Sequence, residues 1–179
     1  IAEFCQNTSI HTSLYHNDEW FVPAMDYWAE RERNNTKVIP AVNPISKTLE
    51  SWLQQQKGLH KIMCMGEENE IERLAVFLEQ EFKNEIIGYR SKATYLEISP
   101  RNISKKTAIE LLLRLKYPTI GLENVIAFGD NYNDVEMLQS VGVGVAVENA
   151  IAEVHAIAKN KTLSNKDDGV AIFLESYFS

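Results

Sequence analysis

Val125-Ile126-Ala127-Phe128 runs straight into Gly129-Asp130-Asn131-Tyr132-Asn133-Asp134, and the reading of this junction decides the fold. The short, fully apolar run suits a strand buried on both faces. Gly129 lets the chain turn sharply where the strand stops. Asp130 then stands at the carboxyl end of that strand, the end at which open α/β sheets bind ligands. Asp134 follows four residues later, about one helical turn, so both carboxylates can face one point. Two hard oxygen ligands with room for waters and a phosphate describe a Mg²⁺ site. Asn133 lies near the start of the next helix, where free N–H groups and the helix dipole favour an anion. An Asp after a strand also serves as a plain helix cap, and Asp or Asn in a loop is common turn chemistry. Spacing alone leaves both readings open. An EF-hand is excluded, because Tyr132, Val135 and Val141 occupy the positions its third ligand, its glycine and its closing glutamate require.

Outward from this junction the pattern is regular. A helix is expected near Asp134–Ser140, a second buried strand over Val143–Val147 and a helix over Ile151–Ala158. A third strand over Lys161–Leu163 and a last helix over Gly169–Tyr177 complete the run. Gly142-Val143-Gly144 precedes a strand and not a helix, so it reads as a turn into that strand and not as a nucleotide-binding loop. Upstream, Ser104–Lys116 reads as a helix with Ala108, Leu111, Leu112 and Leu115 inward, stopped by Pro118. Alternating strands and helices in such short units imply a parallel sheet with right-handed crossovers. From Tyr117 to Ala158 there is no Lys or Arg, while Glu123, Asp130, Asp134, Glu136, Glu148 and Glu153 are acidic. A phosphate approaching that surface needs a cation, and Lys105 and Lys106 are the nearest candidates. In isolation the same pair reads as a solvated helix end.

The first half mixes strands and helices. Ser9–Tyr15 and Glu19–Val22 read as two strands across an Asn17-Asp18 turn. Met25–Arg33 reads as helical. Asn43 is placed to cap a helix that begins with Pro44, with Ile45, Leu49, Trp52 and Leu53 on one face. Leu59–Met65 reads as a strand, and Ile71, Leu74, Ala75, Leu78 and Phe82 form the apolar stripe of the next helix. Glu85–Arg90 and Ala93–Ser99 read as a strand pair, with Thr94, Leu96 and Ile98 sharing a face. Trp20, Trp28 and Trp52 read as packing residues. The join between the halves falls near Ser99-Pro100-Arg101-Asn102.

Composition narrows the function classes. The chain has 179 residues, 45% hydrophobic and 24% charged, which fits one large or two small folded domains and excludes disorder as the main state. The net charge of −7 argues against nucleic acid and anionic membrane surfaces as partners. Cys5 and Cys64 provide neither a disulfide framework nor a CxxC pair, so a reducing, cytoplasmic setting is expected. His11, His16, His60 and His155 show no HExxH or HxxxH spacing. No apolar stretch reaches the ~18 residues of a membrane span. The chain opens on Ile1 and not on Met, without a signal peptide, which reads as a cut or a removed tag.

Four ordered motifs then carry a resemblance. Ile98-Ser99-Pro100 with Ile103-Ser104-Lys105, Gly129-Asp130-Asn131-Tyr132-Asn133-Asp134, Gly144-Val145-Ala146-Val147-Glu148-Asn149-Ala150, and Asp167-Asp168-Gly169-Val170 together resemble the C-terminal part of a haloacid dehalogenase superfamily phosphatase. The match is to the Cof-type branch, which carries a large α/β cap. The resemblance implies an α/β fold: a partial Rossmann-like parallel sheet over residues 100–179, and an α+β, C2-type cap selecting the substrate over residues 1–99. It implies a Mg²⁺-dependent phosphatase acting on small phosphorylated metabolites, with sugar phosphates as the default. Lys105 matches the lysine that stabilises nucleophile and phosphate, with Lys106 as the alternative register. Asp130 matches the acidic metal ligand, Asp134 the second acid that holds metal or orients the lysine, and Asn133 the polar residue beside them.

One departure is large. The family nucleophile lies in an Asp-x-Asp-x-Thr segment, and no Asp-x-Asp occurs anywhere in this chain. The resemblance therefore implies a cap plus the C-terminal half of a core, inactive by itself and prone to self-association through the incomplete core. The competing reading is a non-catalytic binding or regulatory protein that retained the cap and partial core.

Overall fold

The alternation of short apolar runs and amphipathic stretches resolves into two units in a computed structural model that describes residues 1–179. The units are Ile1–Arg101 and Asn102–Ser179.

The first unit opens with a short helix, α1 (Ala2–Gln6), followed by β1 (His11–His16) and β2 (Glu19–Val22). Asn17 makes the turn between these strands at φ 48°, a left-handed conformation that Asn tolerates better than most residues. Then come α2 (Tyr27–Thr36), β3 (Ala41–Val42), α3 (Ile45–Gln54), β4 (Lys61–Met65), α4 (Glu68–Phe82), β5 (Ile86–Lys92) and β6 (Tyr95–Pro100). The six strands form one sheet in the order β3-β2-β1-β4-β6-β5, antiparallel except where β2 meets β3.

Register sorts the side chains. Thr12 opposes Cys64, and Cys64 opposes Leu96, so these residues share one face of the sheet. Against that face α4 lays Ile71, Leu74 and Leu78, spaced to form a single helical stripe. Glu68 and Glu70 in its first turn complement the helix dipole. On the opposite face Met63, Met65 and Tyr95 meet Trp28 of α2. A one-residue slip of β4 would exchange the two sets, so burial itself fixes the register.

A polar chain crosses this second core. His11 Nδ1 lies 2.7 Å from Asp26 Oδ2, and its Nε2 lies 3.0 Å from Ser13 Oγ. Trp20 Nε1–H donates to Ser13 Oγ at 2.9 Å, and Asp26 Oδ1 caps α2 by accepting from the Ala29 amide. The order Asp–His–Ser resembles a hydrolytic triad, but Ser13 is fully buried and already hydrogen-bonded. The chain satisfies buried polar groups and offers no nucleophile to a substrate.

In the second unit α5 (Lys105–Lys116) leads through a short 3₁₀ turn to β7 (Ile126–Gly129). A second 3₁₀ turn over Tyr132–Asp134 runs into α6 (Val135–Ser140), followed by β8 (Val143–Ala146), α7 (Ala152–Ile157), β9 (Asn160–Lys161) and α8 (Gly169–Phe178). The three strands are parallel in the order β7-β8-β9, with Phe128 opposite Val145 and Gly129 opposite Ala146. Ala127, Met137, Leu138, Val141, Ala146 and Val154 form the core.

Three expectations are corrected. Asn43 does not cap α3; Pro44 takes the cap position, and the Asn43 amide donates to Thr48 Oγ1 instead. Leu53 faces solvent at 79% exposure, because Thr48 and Trp52 take the inward positions of α3. On α5 the expected inward residues Ala108, Leu111, Leu112 and Leu115 are all exposed, and Ile109 packs against the core instead. The stripe is apolar as read, but no other element of this unit covers it.

Leu74 is 0% exposed. Leu74→Ala is expected to lower stability by about 2–5 kcal/mol in urea denaturation, whereas Leu53→Ala shifts it by less than about 0.5 kcal/mol. Similar values for the two would contradict this assignment of the core.

Candidate active site

The site is built where β7 ends. Gly129 is its last residue, and a Cβ there would lie 2.5 Å from Asp134 Cβ, so the loop closes this tightly only because Gly129 has none. The Asn131 side chain accepts from the Tyr132 amide at 2.8 Å and starts the 3₁₀ turn that brings Asp134 back beneath the strand end.

Asp134 is 2% exposed and fully engaged. Its Oδ2 accepts from the Asp130 amide at 2.9 Å and the Asn131 amide at 3.1 Å. Its Oδ1 accepts from Lys105 Nζ at 2.5 Å. One carboxylate thus holds the loop closed and anchors a lysine. Removing such a partner leaves the remaining groups unsatisfied, which costs more than the pair contributes in net terms.

Lys105 is placed by the start of α5. Ser104 Oγ accepts from the Thr107 amide at 3.2 Å, and Thr107 Oγ1 accepts from the Ser104 amide at 2.9 Å, a reciprocal capping box. The cap sets where the helix begins and therefore where Lys105 emerges. Its side chain is about half exposed, so the charge is held by Asp134 yet open to solvent. Lys106 points elsewhere, 3.9 Å from Glu110 and 3.6 Å from Glu136.

Asp130 is exposed, and its carboxylate carries no hydrogen bond or ion pair, while its carbonyl accepts from the Ile151 amide at 2.9 Å. Asn133 is half-buried within the 3₁₀ turn over Tyr132–Asp134. The chain therefore brings Lys105, Asp130, Asn131 and Asp134 together at the β7 end, with distinct states for the two acids. Asp130 has both oxygens available, whereas Asp134 has both occupied. No three His, Cys, Asp or Glu side chains gather closely enough to cage a metal. A single available carboxylate fits Mg²⁺, which keeps several waters and takes one or two carboxylates plus phosphate oxygens, better than it fits a metal needing an all-protein cage. The i, i+4 spacing pointed to this loop, but it could not reveal that the backbone amides of Asp130 and Asn131 consume one oxygen of Asp134.

Asp134→Ala is expected to destabilise the second unit by about 2–4 kcal/mol, because Lys105 and two amides lose their acceptor. Lys106→Ala, which removes only exposed ion pairs, is expected to cost less than about 1 kcal/mol. Urea denaturation followed by circular dichroism reads both, and an equal or reversed order would contradict the geometry.

Known proteins share this architecture. The haloacid dehalogenase-like hydrolase family profile matches residues 1–174. A protein of Haemophilus influenzae described as a putative phosphatase is 36% identical over 151 residues, covering 84% of this chain and 53% of that protein. The Bacillus subtilis 5-amino-6-(5-phospho-D-ribitylamino)uracil phosphatase is 40% identical over 98 residues, covering 53% of this chain and 36% of that enzyme. A haloacid dehalogenase-like hydrolase from Bacteroides thetaiotaomicron superposes over 98% of this chain and 64% of its own, with a TM-score of 0.80 and 26% identity. The chain thus spans about half the length of the first of these relatives. No helix is long and apolar enough to cross a membrane. The chain belongs to the haloacid dehalogenase-like hydrolase family, as a Cof-type member.

Proposed function

We propose that this chain supplies the cap and the phosphate-handling half of a Mg²⁺-dependent phosphatase acting on small phosphorylated metabolites, in the cytoplasm. The observation that carries the proposal is the Lys105–Asp134 pair, closed onto the amides of Asp130 and Asn131 at the carboxyl end of a parallel strand. A lysine held this way offers a fixed, solvent-reachable cation to a phosphoryl group without first having to be ordered. The name of the Bacillus subtilis relative, a phosphatase of a small phosphorylated metabolite, supports the substrate class.

In this reading residues 1–99 form the substrate-selecting cap and residues 100–179 belong to the core. Lys105 binds a phosphate oxygen and balances charge as the phosphoryl group transfers. Asp134 orients Lys105. Asp130 holds the metal, and Asn133 lies within the same loop as a polar contact for the bound anion. Mg²⁺, when bound, neutralises charge on the transferring phosphoryl group. The nucleophilic aspartate comes from a segment outside these 179 residues, since they contain no Asp-x-Asp. The uncovered apolar stripe of α5, with Leu115 at 67% exposure, supports self-association of the chain when that partner is absent.

The test is hydrolysis of p-nitrophenyl phosphate. The chain alone is expected to show no turnover with Mg²⁺. A longer protein carrying an Asp-x-Asp segment ahead of Ile1 is expected to turn over, lose activity with EDTA, and drop on the order of 10²-fold in kcat on Lys105→Ala. Metal-dependent turnover by the 179-residue chain, or full activity of the Lys105→Ala protein, would overturn the proposal. Light scattering checks the association: Leu112→Glu with Leu115→Glu is expected to shift the chain toward monomer.

A further inference from the structure

His16 and His60 lie far apart in the chain and side by side in the fold. Tyr15 and Lys61 are register partners on β1 and β4, and each histidine stands one residue beyond that pair. The His60 amide donates to the Tyr15 carbonyl at 3.0 Å, which fixes the two backbones against each other. The imidazole centroids are 4.7 Å apart, with the rings tilted by 41°. A search for HxxxH spacing reads one helix face and misses a pair made across strands. Nothing in the phosphatase reading uses these histidines.

The hydrogen bonds show where each ring keeps a lone pair. His16 Nδ1 lies 2.6 Å from the Gly58 carbonyl, which only accepts, so Nδ1 carries the hydrogen and Nε2 the lone pair. That lone pair meets Asn17 Nδ2 at 3.2 Å. His60 Nδ1 accepts from the Asn17 amide at 3.1 Å, so its lone pair turns to the same residue. Two imidazole lone pairs therefore converge on Asn17, an exposed turn residue. The Gly58 carbonyl is the kind of partner that a metal-bound imidazole has on its other nitrogen. Glu19, the register partner of His16 on β2, is held through both oxygens by Lys57 Nζ, at 2.9 and 3.0 Å. The protein ligands on offer are thus two nitrogens.

We propose that His16 and His60 form a metal site for a divalent transition-metal cation of the Zn²⁺ type, on residues other than those proposed to hold Mg²⁺. The ion takes His16 Nε2 and His60 Nδ1 in place of the two Asn17 donors, and water fills its remaining positions. The displaced donors lie in an exposed turn, where water replaces the lost partners at little cost. Imidazole suits Zn²⁺, Ni²⁺ and Cu²⁺, whereas a lone carboxylate such as Asp130 suits Mg²⁺. Ligand chemistry therefore sorts the ions between the two places. A bound ion ties the β1–β2 turn to the start of β4.

Trp52 is a built-in reporter, its ring centroid 5.6 Å from that of His16. The experiment titrates the untagged 179-residue chain with Ni²⁺, which quenches nearby indole emission and leaves thiols unoxidised. The expected result is saturable quenching at one ion per chain, reversed by Zn²⁺ and indifferent to millimolar Mg²⁺. His16→Gln and His60→Gln are each expected to weaken the midpoint on the order of tenfold or more. His155→Gln, in the other unit, is expected to leave it unchanged. Asn17→Gly keeps the left-handed turn and removes the competing side-chain amide, so it is expected to tighten binding. Zn²⁺ is expected to raise the urea midpoint of the unmutated chain and of Asn17→Gly, but not of the two glutamine variants. Quenching that fails to saturate, that Mg²⁺ reverses, or that keeps its midpoint in both glutamine variants would overturn the proposal. A midpoint weakened equally by His155→Gln, or weakened by Asn17→Gly, would overturn it as well.

Discussion

The site depends on one buried carboxylate. Asp134 accepts from the amides of Asp130 and Asn131 with one oxygen and from Lys105 with the other. These contacts join three segments: the end of β7, the turn into α6 and the first residue of α5. A charge this deep is tolerated only when paired and hydrogen-bonded, so the loop must close and the lysine must arrive together. Gly129 makes the closure sterically possible, and the Ser104–Thr107 capping box delivers the lysine. The exposed Asp130 carboxylate is the complement: the same loop hides one acid and presents the other.

The two units solve burial differently. The first covers both faces of an antiparallel sheet, with the α4 stripe on one side and the aromatic contacts of Trp28 and Tyr95 on the other. Its polar chain from Asp26 through His11 to Ser13 is closed by Trp20, leaving no reactive group. The second is a small parallel sheet whose helix α5 turns its leucines to solvent. Parallel sheets are ordinarily covered on both faces. A three-stranded sheet with an open apolar helix therefore fits a core shared with further residues, in agreement with relatives longer than this chain.

Much of this was legible in the sequence where a pattern has one physical solution. The Ile71-Leu74-Leu78 spacing admits only a helix over an apolar face, and the junction at Gly129 admits a strand that ends in a ligand-binding loop. Partnership was less legible. Helical period shows that Leu111, Leu112 and Leu115 lie together, but not what covers them. Lys105 and Lys106 are indistinguishable as a dipeptide; capping geometry sends one to Asp134 and the other to Glu110 and Glu136. The paired role first read for Asp130 and Asp134 depended on side-chain direction, which spacing leaves open.

The most direct test of the central claim is paramagnetic broadening of backbone amide signals by Mn²⁺, used as a Mg²⁺ substitute on the 179-residue chain. The account predicts that the amides around Asp130 broaden first, at metal levels that leave the acidic first turn of α4 untouched, and that Asp130→Asn abolishes the effect while Asp134 and Lys105 remain paired. Broadening spread over the acidic surface, or centred away from the end of β7, would contradict it.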